Sequence, residues 1–274
     1  GLRERGYVVG KNLIIERRYA GGSVERMPAI ADELAALKLD AIVTTCTPST
    51  RVMHKASRTT SLVMAAVSDP VGQGLITSYS RPGGNITGST TFDPQFATKQ
   101  LQLLKSLLPN LARVALLGDA GAAPSLFQSV EQAAQTVGLE TLSLKVERSP
   151  NPDFDAAFET AARERVGAIL VLSTPVTTPH RKRIAELAVK YRLPTLSPRD
   201  HADAGGLMCF GTSFVEATKH SATYVSKILK GAKPAELPVE RVSRHELIVN
   251  LKAARDLGIT VPPSILSSAS QVVQ

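Results

Sequence analysis

The sequence predicts an α/β fold built as two doubly wound parallel-sheet lobes, and three observations carry that expectation. Short apolar runs rich in β-branched residues recur at residues 13–15, 41–43, 62–67, 114–117, 142–146 and 168–172. The stretches between them have helical periodicity. The whole alternation is run through twice, over roughly residues 13–108 and again over 113–210, as a repeat of architecture and not of residues. Near-continuous apolar strands separated by helices indicate parallel sheets covered on both faces. Two such lobes predict a ligand cleft between them.

Taken in order, residues 25–38 place Ile30, Leu34 and Leu37 at three- and four-residue spacing, which predicts a helix ahead of the run at 41–43. The same spacing recurs at Leu101, Leu104 and Leu108, and at Ile184, Leu187 and Ala188. Gly138 and Gly231 sit where C-terminal caps belong. Thr47-Pro48, Asp69-Pro70, Asn151-Pro152 and Thr178-Pro179 each set a capping side chain ahead of a proline preorganised for the first helical position. The first two follow strands directly, so they place helix N-termini on the carboxyl edge of an open sheet, where anionic groups bind. The plainer reading of each is a good cap and nothing more. Residues 230–240, with Gly231, Pro234 and Pro238, read as a crossing strand or linker. Residues 1–109 and 212–237 are assigned to lobe one, and 110–211 and 238–274 to lobe two.

Composition removes several classes. A chain of 274 residues with 43% hydrophobic and 20% charged residues buries a real core and is not a disordered tail. No apolar run approaches the roughly 20 residues that span a bilayer. The net charge of +8 comes from dispersed basic residues, and aromatic residues make up only 4%. That leaves little for stacking on bases, so no nucleic-acid partner is expected and a solvated basic face explains the charge. Cys46 and Cys209 are too few for a stapled scaffold and read as small core residues, with a bridge between them left open. Gly1-Leu2-Arg3-Glu4-Arg5 lacks the apolar stretch of a secretory signal.

Enzyme signatures are missing. There is no phosphate-binding glycine loop, H-E-x-x-H, C-x-x-C or G-x-S-x-G, and Gly72-Gln73-Gly74 lacks the third glycine of a dinucleotide motif. The five histidines have no ligand spacing, so neither metal nor cofactor is expected. Asn85-Ile86-Thr87 fits a glycosylation sequon, a match frequent by chance. Polar residues at strand ends say more: Thr47, Pro48 and Ser49, then Ser68 and Asp69, and in the second half Asp119, Ser173, Thr174 and Asp200. Two facing rows of hydroxyls, amides and a few charges suit a small polar ligand clamped between domains, without specifying a reaction.

A resemblance rests on Gly6-Tyr7-Val8-Val9-Gly10-Lys11-Asn12, Ser68-Asp69-Pro70-Val71-Gly72, Arg81-Pro82-Gly83-Gly84-Asn85, Ala204-Gly205-Gly206-Leu207-Met208 and Leu257-Gly258-Ile259-Thr260-Val261-Pro262-Pro263. Together they resemble the ABC-transporter substrate-binding proteins of the tryptophan/tyrosine-binding type, almost from end to end. The resemblance implies a type I periplasmic-binding-protein-like fold, a periplasmic location and no catalysis. The implied partners are a small-molecule ligand and an ABC permease with its ATPase, the membrane being reached only through that permease. Members open with an apolar strand and a helix before the Gly-Tyr segment. The first strand of lobe one is therefore expected to be missing from this chain.

The resemblance also assigns roles. Thr47, Pro48 and Ser49 match the place where these proteins hold an amino-acid carboxylate, with Ser68 and Asp69 on the next loop and Ser173, Thr174 and Asp200 approaching from lobe two. Asp200 is the candidate for a ligand ammonium, unless Arg199 pairs with it instead. Phe92 and Phe210 either flank an aromatic ring or belong to the core. The function expected is the solute-binding component of an ABC importer. Its ligand would be an aromatic or branched amino acid, or an aromatic acid. A ligand-sensing regulatory module on the same fold is the alternative.

Overall fold

A computed structural model describes residues 1–21, 23–91, 93–122, 124–149, 151–242 and 245–274, apart from the side chains of 214–216. The chain begins with α1 (Met27–Ala36), β1 (Ala41–Thr44), α2 (Thr47–Ala56), β2 (Ser61–Val67) and β3 (Ile86–Thr90). It continues with α3 (Phe96–Leu107), β4 (Arg113–Asp119), α4 (Pro124–Thr136), β5 (Glu140–Val146), α5 (Phe154–Arg163), β6 (Ala168–Val171) and α6 (Arg181–Lys190). Next come β7 (Thr195–Pro198), β8 (Met208–Thr212), α7 (Phe214–Leu229) and β9 (Glu240–Arg241). The last elements are β10 (His245–Asn250), α8 (Leu251–Leu257), α9 (Pro263–Ser268) and β11 (Gln271–Val273). Residues Gly1–Asp93 with Phe214–Arg244 form one compact unit, and Pro94–Ser213 with His245–Gln274 form the other.

In the first unit the sheet order is β1-β2-β3-β9, all parallel. Strand β2 is buried on both faces because its side chains alternate. Leu62 and Met64 join Ile42, Met53 and Ala31 on the side of α1 and α2, whereas Val63 packs on Tyr224, Val225 and Ile228 of α7. Gly88 lets β3 approach β2: its φ is +122°, and a Cβ there would collide with the Met64 backbone. The hydroxyls of the polar strand β3 are spent internally. Thr87 donates to the Leu237 carbonyl at 2.8 Å, Ser89 to Ala65 at 2.7 Å and Thr90 to Val67 at 2.6 Å.

The strand expected at 13–15 does not form. Leu13 makes an isolated bridge to Val9, and Ile14 stands 84% exposed. An apolar run becomes a strand only where a neighbour takes its backbone hydrogen bonds, and β1 is the edge of this sheet. The segment 230–240, read as a crossing strand or linker, runs into β9 and does not cross to the second unit. It lies inside the first unit, and the chain leaves that unit after residue 244.

In the second unit the sheet order is β11-β10-β8-β7-β6-β4-β5, parallel throughout except where β10 meets β8. Alternate residues of β4 and β6 divide between two cores. Val114, Leu116, Ala168 and Leu170 pack with α3, α4, α8 and α9, while Ala115, Leu117, Ile169 and Val171 pack with α5 and α6. Helix α3, assigned to lobe one from the sequence, belongs to the second unit, where Leu101, Leu104 and Leu107 enter the first of these cores. Because β5 lies on one side of β4 and β6 on the other, the strand order reverses at β4. The chain leaves β4 for α4 on one face and leaves β6 for α6 on the other. A crevice opens at such a switch point, outside the carboxyl ends of the strands.

Candidate ligand-binding site

The start of α2 differs from the expected cap in one way that changes its chemistry. Cys46, not Thr47, is the N-cap, so Thr47 and Pro48 occupy the first two helical positions and Ser49 the third. Ser49 Oγ donates to the Cys46 carbonyl at 2.9 Å, accepts from the Cys46 N–H at 3.3 Å and lies 3.2 Å from its Sγ. This is a reciprocal cap, so the Ser49 hydroxyl is committed to the helix. Thr50 Oγ1 is buried, bonded to the Cys46 carbonyl at 2.9 Å and to Thr44 Oγ1 at 2.7 Å. Pro48 is exposed and has no N–H.

Thr47 is the residue this loop leaves available. Its Oγ1 accepts the Ser68 N–H at 3.3 Å, which ties the start of α2 to the end of β2 and leaves the Thr47 O–H to donate elsewhere. The Ser68 side chain is exposed beside it. Asp69 starts no helix: it adopts φ +43°, accepts the Gly72 N–H on Oδ1 at 2.9 Å and closes a turn. An Asx turn competes with helix initiation in this way.

At the second sheet's carboxyl edge, Asp119 is fully buried at the end of β4. Its Oδ1 accepts the Gly121 N–H at 2.7 Å and its Oδ2 pairs with Arg148 at 3.0 Å. Thr174 is buried in a tight turn, where it and Thr177 exchange hydrogen bonds of 3.1 Å, while Ser173 is exposed. The caps expected at Asn151 and Thr178 are displaced. Asp153 caps α5 through the Ala156 N–H at 2.9 Å, and His180 occupies the N-cap of α6.

Asp200 is exposed in the short 3-10 stretch Arg199–Ala204. Arg199 gives its Nε to Glu246 at 2.6 Å, and Arg181 pairs with Asp203 at 3.0 Å. Phe210 belongs to the core, stacked on Phe96 with centroids 5.5 Å apart. Phe92 lies outside the described residues.

Of two buried groups here, Cys209 is the small core residue expected of it, whereas His201 escaped the sequence reading. His201 is 2% exposed, and neither ring nitrogen has a hydrogen-bond partner among the described residues. Burial holds its pKa below the usual imidazole value, against the opposing pull of Asp200. Burial, reinforced by Asp200, pushes the Cys209 thiol up to about 12. Asn85 is equally committed. Its Nδ2 donates to the Ser57 and Thr60 carbonyls at 3.1 and 2.7 Å, which leaves the sequon no free amide.

A profile described as ABC transporter substrate binding protein matches residues 1–273. The chain belongs to that family. A tyrosine-binding protein of Clostridioides difficile (strain R20291) is 25% identical over 255 residues, spanning 91% of this chain and 72% of its own. Among solved structures, a conserved domain protein from Vibrio cholerae superposes with a TM-score of 0.89 at 27% identity, over 99% of this chain and 91% of its own. The ABC domain from Streptococcus pneumoniae in complex with L-Trp superposes with a TM-score of 0.85 at 26% identity, over the same 99% and 91%.

This substrate-binding protein has the α/β architecture of two parallel-sheet lobes shared by those neighbours, the type I periplasmic-binding fold. No helix among the described residues is long and apolar enough to cross a membrane.

Proposed function

We propose that the chain is the solute-binding component of an ABC importer. It works outside the cytoplasm and delivers a small carboxylate-bearing ligand to an inner-membrane permease with its ATPase. The observation that carries this reading, beyond family membership, is the paired Thr47 and Ser68 at the end of β2. Both hydroxyls retain a proton to donate, at the positive end of α2, and a carboxylate accepts such donors strongly. Ser173 and Asp200, exposed at the carboxyl edge of the second sheet, supply further polar contacts, with Asp200 taking a ligand ammonium. The relatives that bind tyrosine and L-Trp favour an aromatic amino acid. A thermal-shift screen over the amino acids, benzoate and a set of neutral sugars tests the proposal, because a ligand binding only the native state raises the midpoint. A carboxylate-bearing hit supports it; a sugar as the sole hit overturns it.

A further inference from the structure

We propose that the 3-10 turn Arg199–Ala204 is an acid-opened strap, closed over a polar patch of the second sheet while His201 is neutral and lifted when His201 gains a proton. The patch follows from strand alternation. Leu170, Leu196, Met208 and Phe210 face one core. Thr195 and Ser197 of β7, with Cys209 of β8 paired to Ser197, therefore face the other side of the sheet. There they converge on Gly206. A Cβ on that glycine would lie 3.8 Å from Cys209 Sγ, 3.8 Å from Ser197 Oγ and 3.9 Å from Thr195 Oγ1. All three side chains are buried, and Thr195 Oγ1 has no hydrogen-bond partner among the described residues.

Two ion pairs hold the turn on that face. Arg199 reaches Glu246 of β10 at 2.6 Å, on the same side as Ile248, the partner of Cys209. Asp203 pairs with Arg181 of α6 at 3.0 Å, and α6 covers Ile169, the partner of Thr195. Both pairs are partly exposed, and such pairs contribute little. Between them His201 is buried with neither ring nitrogen bonded among the described residues. Closure thus costs the hydration of an imidazole and of the Thr195 hydroxyl, which opening restores. A segment so held has low local stability. The charged groups around His201 are Asp200 and Asp203 on its own turn, Arg181 on α6, and the Arg199–Glu246 pair toward β10. Strand β7 brings only hydroxyls, and Cys209 of β8 stays a neutral thiol. Burial, the largest effect, is joined by Arg181 and outweighs Asp200 and Asp203, so the closed imidazole titrates below its usual value. A proton binds the open turn before the closed one, and acid shifts the balance to open. Opening also displaces Asp200, a consequence for a ligand ammonium that rests on the functional reading, whereas the opening itself does not.

Hydrogen exchange read by mass spectrometry on the ligand-free chain tests this from about pH 7.5 to about 5.5, a range that spans the usual imidazole value. Rates are corrected for the intrinsic pH dependence of amide exchange. Amides of the turn should lose protection by up to about tenfold per pH unit below about pH 6.5, while those of β4 and α5 keep theirs. His201→Gln, polar without a titrating ring, and His201→Phe should each remove the pH dependence, and either one that folds serves. Wild-type protection of the turn that does not change with pH overturns the proposal. An equal pH dependence in a folded variant also overturns it, because the titrating group would then lie elsewhere. So does loss of protection across the whole unit in step with the turn, which is global unfolding and not a strap. None of these results touches the functional reading, which the ligand screen tests separately.

Discussion

Replacing Ser49 by alanine removes a hydroxyl at the very start of α2, where a ligand carboxylate is proposed to sit, yet it should leave affinity alone. The reason lies in where that hydroxyl points. It donates to the Cys46 carbonyl at 2.9 Å and accepts the Cys46 N–H at 3.3 Å, so both of its roles are filled by the helix cap. Loss of a capping side chain costs about 1 kcal/mol, within a range of roughly 0.5–2, and lowers the melting midpoint by about 3–6 °C in a domain of this size. Thr47→Val is the opposite case. Valine keeps the shape but loses the O–H available to the ligand and the acceptor of the Ser68 N–H. A hydrogen bond to a charged group contributes roughly 1.5–3 kcal/mol, so affinity should fall at least about tenfold. Calorimetry and thermal melts on both variants, with the best acid from the screen, separate the two effects. Ser49→Ala binding tenfold weaker at an unchanged midpoint would refute the reasoning.

Three further predictions come from buried or crowded groups. The lowered pKa of His201 means that the unfolded chain takes up this proton below about pH 6.5 and the folded chain only at a lower pH, so stability falls on acidification below that value, by at most about 1.4 kcal/mol per pH unit. His54, lowered by burial and then by Arg58, acts in the same direction. His201→Phe should flatten the decline between pH 6.5 and 5, and urea melts showing an unchanged slope would contradict this. Maleimide should label half-buried Cys46 and spare buried Cys209, with bound ligand slowing the reaction; mass spectrometry finding Cys209 modified first would contradict it. Gly88→Ala should cost roughly 3 kcal/mol or more, from a positive φ and a clash with the Met64 backbone, and a melt within 2 °C of wild type, an order-of-magnitude threshold, would rule that out.

The strands were legible because a run such as 114–117 is apolar at every position, which only a sheet covered on both faces rewards. The run at 13–15 looked alike and failed, since apolar character does not reveal whether a partner strand stands alongside. The unit to which α3 belongs was also hidden. Its leucines predict a helix but not which core receives them, and they pack on β4 and β6.

Helix starts were misplaced by one or two residues where an uncommon cap intervened, Cys46 ahead of Thr47 or Asp153 behind Pro152. At the candidate site, strand-end position singled out Thr47, Ser68 and Asp119 correctly as carboxyl-edge residues. What each does depends on hydrogen bonds across the fold. The bond from Ser68 to Thr47 spans 21 residues and the pair of Arg148 with Asp119 spans 29, distances at which no local pattern signals a contact.

The most direct test of the central claim compares L-tryptophan with tryptamine, which keeps the ring and the ammonium but lacks the carboxylate, by calorimetric titration of the wild-type chain. The account predicts saturable binding of L-tryptophan at about one per chain and binding of tryptamine weaker by at least about tenfold, the value of one charge-assisted hydrogen bond. Equal affinity for the two would contradict it, because the carboxylate would then contribute nothing.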